Sequence, residues 1–342
     1  MSTADRRSMF PQPPGPWSPR SIVRAGEGPF LGRCPTVLSS LTSVATSKVR
    51  VEVAGQTLTL TNLDKVLYPS TGFTKGEVID YYVSAAEPLL VHLADRPLTR
   101  KRWPDGVEAM PFFEKNAPRG TPAWARTVHI AEHGDDGVTY VVAEDLSTLV
   151  WLANLAALEL HVPQWKVGPR GGIRDPDLVV FDLDPGAPAT VVECATVAIE
   201  LRDALAEDGL ESWAKTSGSK GAQLYVPIEP APSQQTSAYA KQLAEKLSQR
   251  HPELILAKMN KDLRKGKVFI DWSQNNAAKT TIAPYSLRGT ERPSVSTPVT
   301  WDELGNARTV ADLTFGPSDV LARLDELGDL LAPMRTAAQR VP

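Results

Sequence analysis

Two aspartates in Val179-Val180-Phe181-Asp182-Leu183-Asp184-Pro185-Gly186 are separated by a single residue. On an extended strand alternate side chains leave the same face, so the two carboxylates converge. Two like charges held together are costly, whereas a divalent cation turns the same geometry into a favourable site. Taken alone, the pattern fits equally a strand end whose acids reach solvent. A third acid, Asp271, closes a second apolar run, Val268-Phe269-Ile270-Asp271-Trp272. Three carboxylates suit two magnesium or manganese ions, which can activate an attacking hydroxyl and stabilise a leaving oxygen.

Thr216-Ser217-Gly218-Ser219-Lys220-Gly221 joins small residues, whose backbone N–H groups are accessible, to a lysine able to neutralise phosphate oxygens. The spacing is not that of a Walker loop, and the hexamer by itself also fits an ordinary hairpin loop. Downstream, Arg288 lies in the apolar setting Ala283-Pro284-Tyr285-Ser286-Leu287-Arg288-Gly289, where an arginine calls for an anionic partner. Basic residues cluster at Arg100-Lys101-Arg102 and through Lys258, Lys261, Arg264, Lys265 and Lys267. Each cluster suits phosphate contact or a solvated face. His161 is either a core histidine or a group at a site.

The elements that must position these residues follow from periodicity. Strands are expected from Val49, over 57–61, over 178–184, at 212–215, at 223–228 and over 268–272. Helices are expected from the Thr74 cap to about Glu87, from Thr190 to about Ala206, over 237–249 and over 317–331. Between 145 and 160 apolar residues crowd too densely for a one-sided surface helix, which reads as a buried helix that delivers His161 to the interior. Strands and helices mix without a regular alternation, which favours an α+β fold over a doubly wound sheet.

The chain has 342 residues with 42% apolar composition, enough for a substantial core. Residues 1–48 carry Pro11, Pro13, Pro14, Pro16 and Pro19 and then a Ser/Thr-rich stretch, the composition of a flexible extension. A folded unit is expected over 49–332, with a C-terminal tail at 333–342. Cys34 and Cys194 are too few for a disulfide framework and fit a reducing cytoplasm. No apolar run reaches the ~18 residues of a membrane span, and the N-terminus has no secretory h-region. The formal charge of -3 leaves nucleic-acid contact to local clusters.

A set of longer words carries a resemblance. They are Asp64-Lys65-Val66-Leu67-Tyr68-Pro69, Arg100-Lys101-Arg102-Trp103-Pro104, Phe112-Phe113-Glu114-Lys115, His161-Val162-Pro163-Gln164-Trp165, Phe181-Asp182-Leu183-Asp184-Pro185-Gly186, Ser217-Gly218-Ser219-Lys220-Gly221, Asp271-Trp272-Ser273-Gln274-Asn275 and Tyr285-Ser286-Leu287-Arg288-Gly289. In this order, across about residues 56–332, the sequence resembles the polymerase domain of bacterial multifunctional DNA ligase D, of the archaeo-eukaryotic primase superfamily. With no ligase or nuclease module in the sequence, it is similar to the stand-alone mycobacterial Prim-PolC branch.

The resemblance implies a primase-like catalytic core of mixed and antiparallel sheets flanked by helices. It implies that Asp182, Asp184 and Asp271 hold two catalytic ions, manganese or magnesium. Ser219, Lys220, Gly221 and Arg288 would grip the incoming nucleoside triphosphate, with His161 beside it, Lys101 adding charge, and Phe112 and Phe113 stacking on bases. Lys65 and Lys75, assisted by Arg102, match the family's pocket for the 5′-phosphate of a downstream strand, and Arg264 matches a template contact. The implied partners are gapped or broken DNA, ribonucleotides in preference to deoxyribonucleotides, and a separate ligase or end-binding protein. The implied setting is short-gap filling in end joining or excision repair, in the cytoplasm at the nucleoid. One departure concerns Gly221-Ala222-Gln223, because the superfamily usually has a histidine where Gln223 stands. Glutamine still donates a hydrogen bond to phosphate but carries no charge.

Two competing readings expect something else. A haloacid-dehalogenase-type phosphohydrolase also carries Asp-x-Asp at a strand end, and requires one metal, an aspartyl-phosphate and a doubly wound sheet. A DNA-end binding module without catalysis would have no use for the three acids.

Overall fold

The strand Leu178–Pro185 sits at the centre of a six-stranded sheet because both of its faces can be covered. Val179, Phe181 and Leu183 pack into the larger apolar cluster, against the helices Val191–Glu207 and Ser233–Arg250. Val180 points the other way, with Tyr225, and Asp182 and Asp184 continue that second face. A computed structural model describes residues 48–131, 136–337 and 339–342. The expected extension over 1–48 therefore lies outside the described residues except for Lys48, which opens the strand Lys48–Val53.

Across the first sheet the order is Ile255–Leu256, Val268–Asp271, Leu178–Pro185, Ala222–Pro227, Trp213–Thr216 and Pro298–Val299. All of these pairings are antiparallel except that of the edge strand Ile255–Leu256 with Val268–Asp271. Antiparallel neighbours on both sides of Leu178–Pro185 exclude the doubly wound sheet that the phosphohydrolase reading requires. The second sheet runs Thr281–Ile282, Ala157–Val162, Pro97–Arg102, Val138–Val142 and Thr127–Ile130, with Phe112–Glu114 also pairing with Pro97–Arg102. Its apolar face packs on Lys75–Ser84, Ala86–Leu93 and Leu146–Asn154. The two sheets meet where Tyr225 donates its hydroxyl to the Ile282 carbonyl at 3.1 Å.

Local chemistry explains where the elements depart from expectation. The dense apolar run is not one helix: Leu146–Asn154 is helical, capped by Asp145 accepting from the Thr148 N–H, and the chain turns at Ala156 into the strand Ala157–Val162. An apolar run buried on every side reads alike as helix or strand, and only the alternation of Leu158, Leu160 and Val162 with Glu159 and His161 separates them. The helix expected from Thr74 to Glu87 is two, Lys75–Ser84 and Ala86–Leu93, with Pro88 in the first turn of the second, where its missing N–H costs nothing. The fifth long helix begins at Ser233 rather than Ser237, behind Pro232. The closing helix stops at Leu327, where Gly328 takes a φ of 70°. The last residues are docked on the first sheet, with Gln339 donating to the carbonyls of Glu211 and Pro227, both at 3.0 Å, and Val341 buried.

Candidate functional site

The antiparallel register places Asp182 directly opposite Asp271 on one side and opposite Gln223 on the other. Lys215 stands opposite Gln223 in turn, so one cross-strand row reads Asp271, Asp182, Gln223, Lys215. Asn275 locks the strand beneath this row, accepting from the Val180 N–H at 2.8 Å and donating to the Val180 carbonyl at 2.7 Å. Burial, then the charge of Asp184, push the Asp182 carboxyl up to about 7, even though Gln223 donates to it at 3.0 Å. Asp184 is raised as well, by burial and by Asp271, against the opposing charge of Arg264.

The donor set suits a hard divalent cation, because it consists of carboxylate oxygens that repel one another. Among the described residues, however, no three metal-binding side chains are gathered into a ready-made metal cage. The carboxylates are engaged by local donors. Asp271 accepts from the Ser273 N–H and hydroxyl at 3.0 and 2.5 Å and from Gln274 at 3.0 Å, and Asp184 lies 3.6 Å from the Arg264 guanidinium. The backbone register thus fits the group, and cation binding requires these side chains to exchange partners.

The loop between Trp213–Thr216 and Ala222–Pro227 lies beside this row. A Cβ on Gly221 would come within 2.0 Å of the Leu183 carbonyl, so only glycine lets the loop approach the aspartate strand. Gly218 has a φ of +69° and is equally crowded by the backbone of Val295 and Ser296. Ser219 and Lys220 are exposed at the tip, whereas the N–H groups of Ser219 and Gly221 turn inward to the Ser217 hydroxyl at 3.3 and 3.2 Å. Ser294 donates to the Gly218 carbonyl at 2.5 Å and stands opposite Arg288, which ties the loop to the arginine.

On the second sheet His161 bonds Glu159 at 2.9 Å, with Phe113 edge-on at 6.3 Å. Burial lowers the His161 pKa while Glu159 opposes that shift. Lys101 pairs with Glu159 across the strands and lies 4.8 Å over the Trp103 ring. Phe112 and Phe113 are both exposed, but as strand neighbours they leave opposite faces, so only Phe113 joins His161. Arg264 stacks 4.0 Å over Phe269, beside Asp184.

The remaining three cations form a separate group. Lys65 is half-buried and ion-paired with Asp105 at 2.9 Å. Lys75 is buried, donating to the Thr61 carbonyl and hydroxyl at 2.5 and 3.2 Å. Burial, then Lys65 and Arg102, push its ammonium down to about 8. Arg102 forks onto Glu114 at 2.8 and 2.9 Å.

At this site sequence reasoning missed two buried charged residues. Lys215 donates to Ser296 at 2.5 Å, and its burial lowers its pKa well below the ordinary lysine value. Glu159 hydrogen-bonds His161 and the Gly289 N–H and is ion-paired with Arg288 at 3.4 Å. Its signal was an acid two residues before a histidine, visible only once 157–162 is read as a strand.

Comparison with known proteins agrees with this architecture. The family described as the primase-polymerase domain of LigD matches residues 74–331. The multifunctional non-homologous end joining protein LigD of Mycolicibacterium smegmatis is 50% identical over 277 residues, covering 80% of this chain and 36% of that protein. The bifunctional non-homologous end joining protein LigD of Bacillus subtilis is 33% identical over 273 residues, covering 79% of this chain and 43% of that one. The chain therefore spans well under half the length of these relatives. The polymerase domain of Mycobacterium tuberculosis ligase D, solved in complex with DNA, superimposes with a TM-score of 0.77 at 45% identity, covering 81% of this chain and 97% of that one. The mixed helices and antiparallel sheets are thus those of an archaeo-eukaryotic primase-like core, and the chain belongs to the LigD primase-polymerase domain family.

Proposed function

We propose that this chain is a template-dependent nucleotidyltransferase that fills short gaps in DNA during repair, using ribonucleoside triphosphates in preference to deoxyribonucleoside triphosphates. The observation that carries the reading is the register that sets Asp182 opposite Asp271, with Asp184 and the 217–221 loop alongside. In this reading Asp182, Asp184 and Asp271 hold two divalent ions, manganese or magnesium, which supply an activated primer hydroxyl and a stabilised leaving oxygen.

Ser219, Lys220 and Arg288 bind the triphosphate, the first two from an exposed loop tip and the third from the strand paired with the one that the loop is tied to. Phe113 offers a stacking face beside His161, sequence-tolerant because every base has a π-face. Gln223 orients Asp182 through its amide, a role for which no positive charge is needed. Lys65, Lys75 and Arg102 receive the 5′-phosphate of the downstream strand, and Arg264, at the edge of the carboxylate row, meets the template. A ligase or an end-binding protein supplied by another chain or domain would complete repair. The catalytic unit in this proposal spans about 49–332.

Primer extension on gapped DNA with labelled nucleotides and manganese tests the reading. Extension that depends on template and favours ribonucleotides is the expected result. Release of inorganic phosphate without extension would support the phosphohydrolase, and DNA binding with neither activity would support a binding module.

A further inference from the structure

Glu159 is 3% exposed on the strand Ala157–Val162, on the face opposite its apolar neighbours Leu158 and Leu160. An acid buried to this degree requires partners of opposite charge or hydrogen-bond donors. Glu159 has three, one on its own strand and two from the consecutive residues Arg288 and Gly289. Its Oε2 lies 2.9 Å from His161 Nε2. Its Oε1 accepts from the Gly289 N–H at 3.1 Å and lies 3.4 Å from Arg288 Nε. Together these hold its carboxyl down to about 2, so the group is an anion at every working pH.

The loop that presents Arg288 has no freedom to relax around this contact. A Cβ on Gly289 would fall 2.2 Å from the Trp103 ring, and the Arg288 carbonyl accepts from the Tyr68 hydroxyl at 2.7 Å. Arg288 stands opposite Ser294, whose hydroxyl donates to Gly218 in the phosphate-type loop. A chain of contacts thus runs from His161 on the second sheet, through Glu159 and Arg288, to the loop of the first sheet.

We propose that Glu159 is a positioning residue for the triphosphate. By ion-pairing with Arg288 on its Nε side and hydrogen-bonding His161 at Nε2, it leaves the terminal guanidinium nitrogens and the other ring edge for an anion beside the 217–221 loop. The inference rests on the nucleotide-transfer reading above. Coulomb's law alone gives the opposite expectation, because a nearby carboxylate repels phosphate. Orientation prevails because the Glu159 charge is already matched by Arg288 and by donors, whereas an arginine released from its anchor loses rotamer freedom each time it grips the ligand.

The test uses the full chain with Glu159→Ala and Glu159→Gln, read in two ways. Steady-state extension of gapped DNA separates KM for the ribonucleotide from kcat, and calorimetric titration with inorganic tripolyphosphate needs no activity. The alanine variant is expected to raise KM about tenfold and to weaken tripolyphosphate by a similar factor, with kcat within about threefold. Glutamine, whose oxygen still accepts from Gly289 and whose amide can donate to His161, is expected to lose about threefold. Unchanged KM and tripolyphosphate affinity in a folded variant would overturn the proposal, as would tighter binding in either. If the alanine protein does not fold, the glutamine variant decides alone. Wild-type protein that binds tripolyphosphate but extends no primer would instead sink the nucleotide-transfer reading, and the calorimetric comparison would still judge Glu159.

Discussion

Asp182 and Glu159 are both acids held between strands, one on each sheet, and their surroundings treat them oppositely. Asp182 faces Asp271 directly and has Asp184 two residues on, and burial, then these charges, push its carboxyl up to about 7. Glu159 faces Lys101 and gathers His161, Gly289 and Arg288, and its carboxyl is held down to about 2. The first arrangement retains repulsion that a cation relieves on binding. The second has its charge matched already and contributes orientation. In the proposed nucleotidyl transfer both kinds have a use, the unmatched acids where metal and substrate would meet and the matched acid where ligand-gripping side chains must be aimed.

The largest effect expected from this contrast belongs to the unmatched row. Asp182→Ala or Asp271→Ala should lower nucleotide addition by about a thousandfold or more while gapped-DNA affinity stays within about twofold. Filter binding and single-turnover extension on the same substrate check it. Extension near the wild-type rate would remove the row from the chemistry.

How much of this was legible in the sequence depended on whether a residue's role is local. Asp182 and Asp184 could be read because strand alternation alone puts them on one face, and Asp271 because it ends a similar run. Their opposition across two strands could not be read, since register is set by long-range packing such as the Asn275 clamp on Val180. The antiparallel mixed fold followed from the irregular order of elements and from the family resemblance. The segment 145–160 failed because burial on all sides erases periodicity, and a single buried helix there gives Glu159 no partner to suggest a role. Lys215 was hidden for a related reason. A lysine in a four-residue strand suggests an exposed edge, yet Pro298–Val299 covers that edge.

A second prediction sharpens the comparison at Gln223, whose amide donates to Asp182 at 3.0 Å. Gln223→Ala leaves that carboxylate without its donor and should cost about tenfold in kcat/KM, in line with about 1.5 kcal/mol for a hydrogen bond to a charged group. Gln223→His replaces the amide with an imidazole donor that can also carry charge, and should lower the KM for the triphosphate several-fold. Extension kinetics of both variants at one manganese concentration provide the check. An alanine variant as active as wild type would show that Asp182 needs no orientation.

Repulsion in the row also predicts a gain. Asp184→Asn removes one of three like charges, and in the presence of a chelator should stabilise the fold by about 1 kcal/mol, read as a rise in Tm, while abolishing extension. Added manganese should raise the Tm of wild type more than that of the variant, because only the complete row binds it fully. A variant no more stable than wild type under chelation would mean that the local donors around Asp271 and Asp184 already absorb the repulsion.

The smallest expected effect concerns the cation group, where like charges of the other sign converge. Lys75 is pushed down to about 8 by burial and by Lys65 and Arg102, so it is an ammonium below that pH and neutral above it. A bound terminal phosphate supplies the opposite charge and raises that value, so binding takes up a proton where Lys75 is otherwise neutral. The phosphomonoester itself is fully ionised from about pH 7 upward, since its second pKa lies near 6. Preference for 5′-phosphorylated over 5′-hydroxyl gapped DNA should therefore be greatest near pH 7 and decline several-fold by pH 9. Lys65 contributes differently: its partner Asp105 is mostly exposed, and such a surface pair holds only weakly, so phosphate can take the lysine over at little cost. Lys65→Ala combined with Lys75→Ala should abolish both the preference and its pH dependence, leaving extension of an open template-primer near wild type. Gel-shift titrations on the two DNAs at pH 7 and pH 9, at one ionic strength, measure the ratio directly. A ratio that does not move with pH in the wild type would show that Lys75 keeps its proton through the strength of the Thr61 bonds, and that the group acts as a fixed charge.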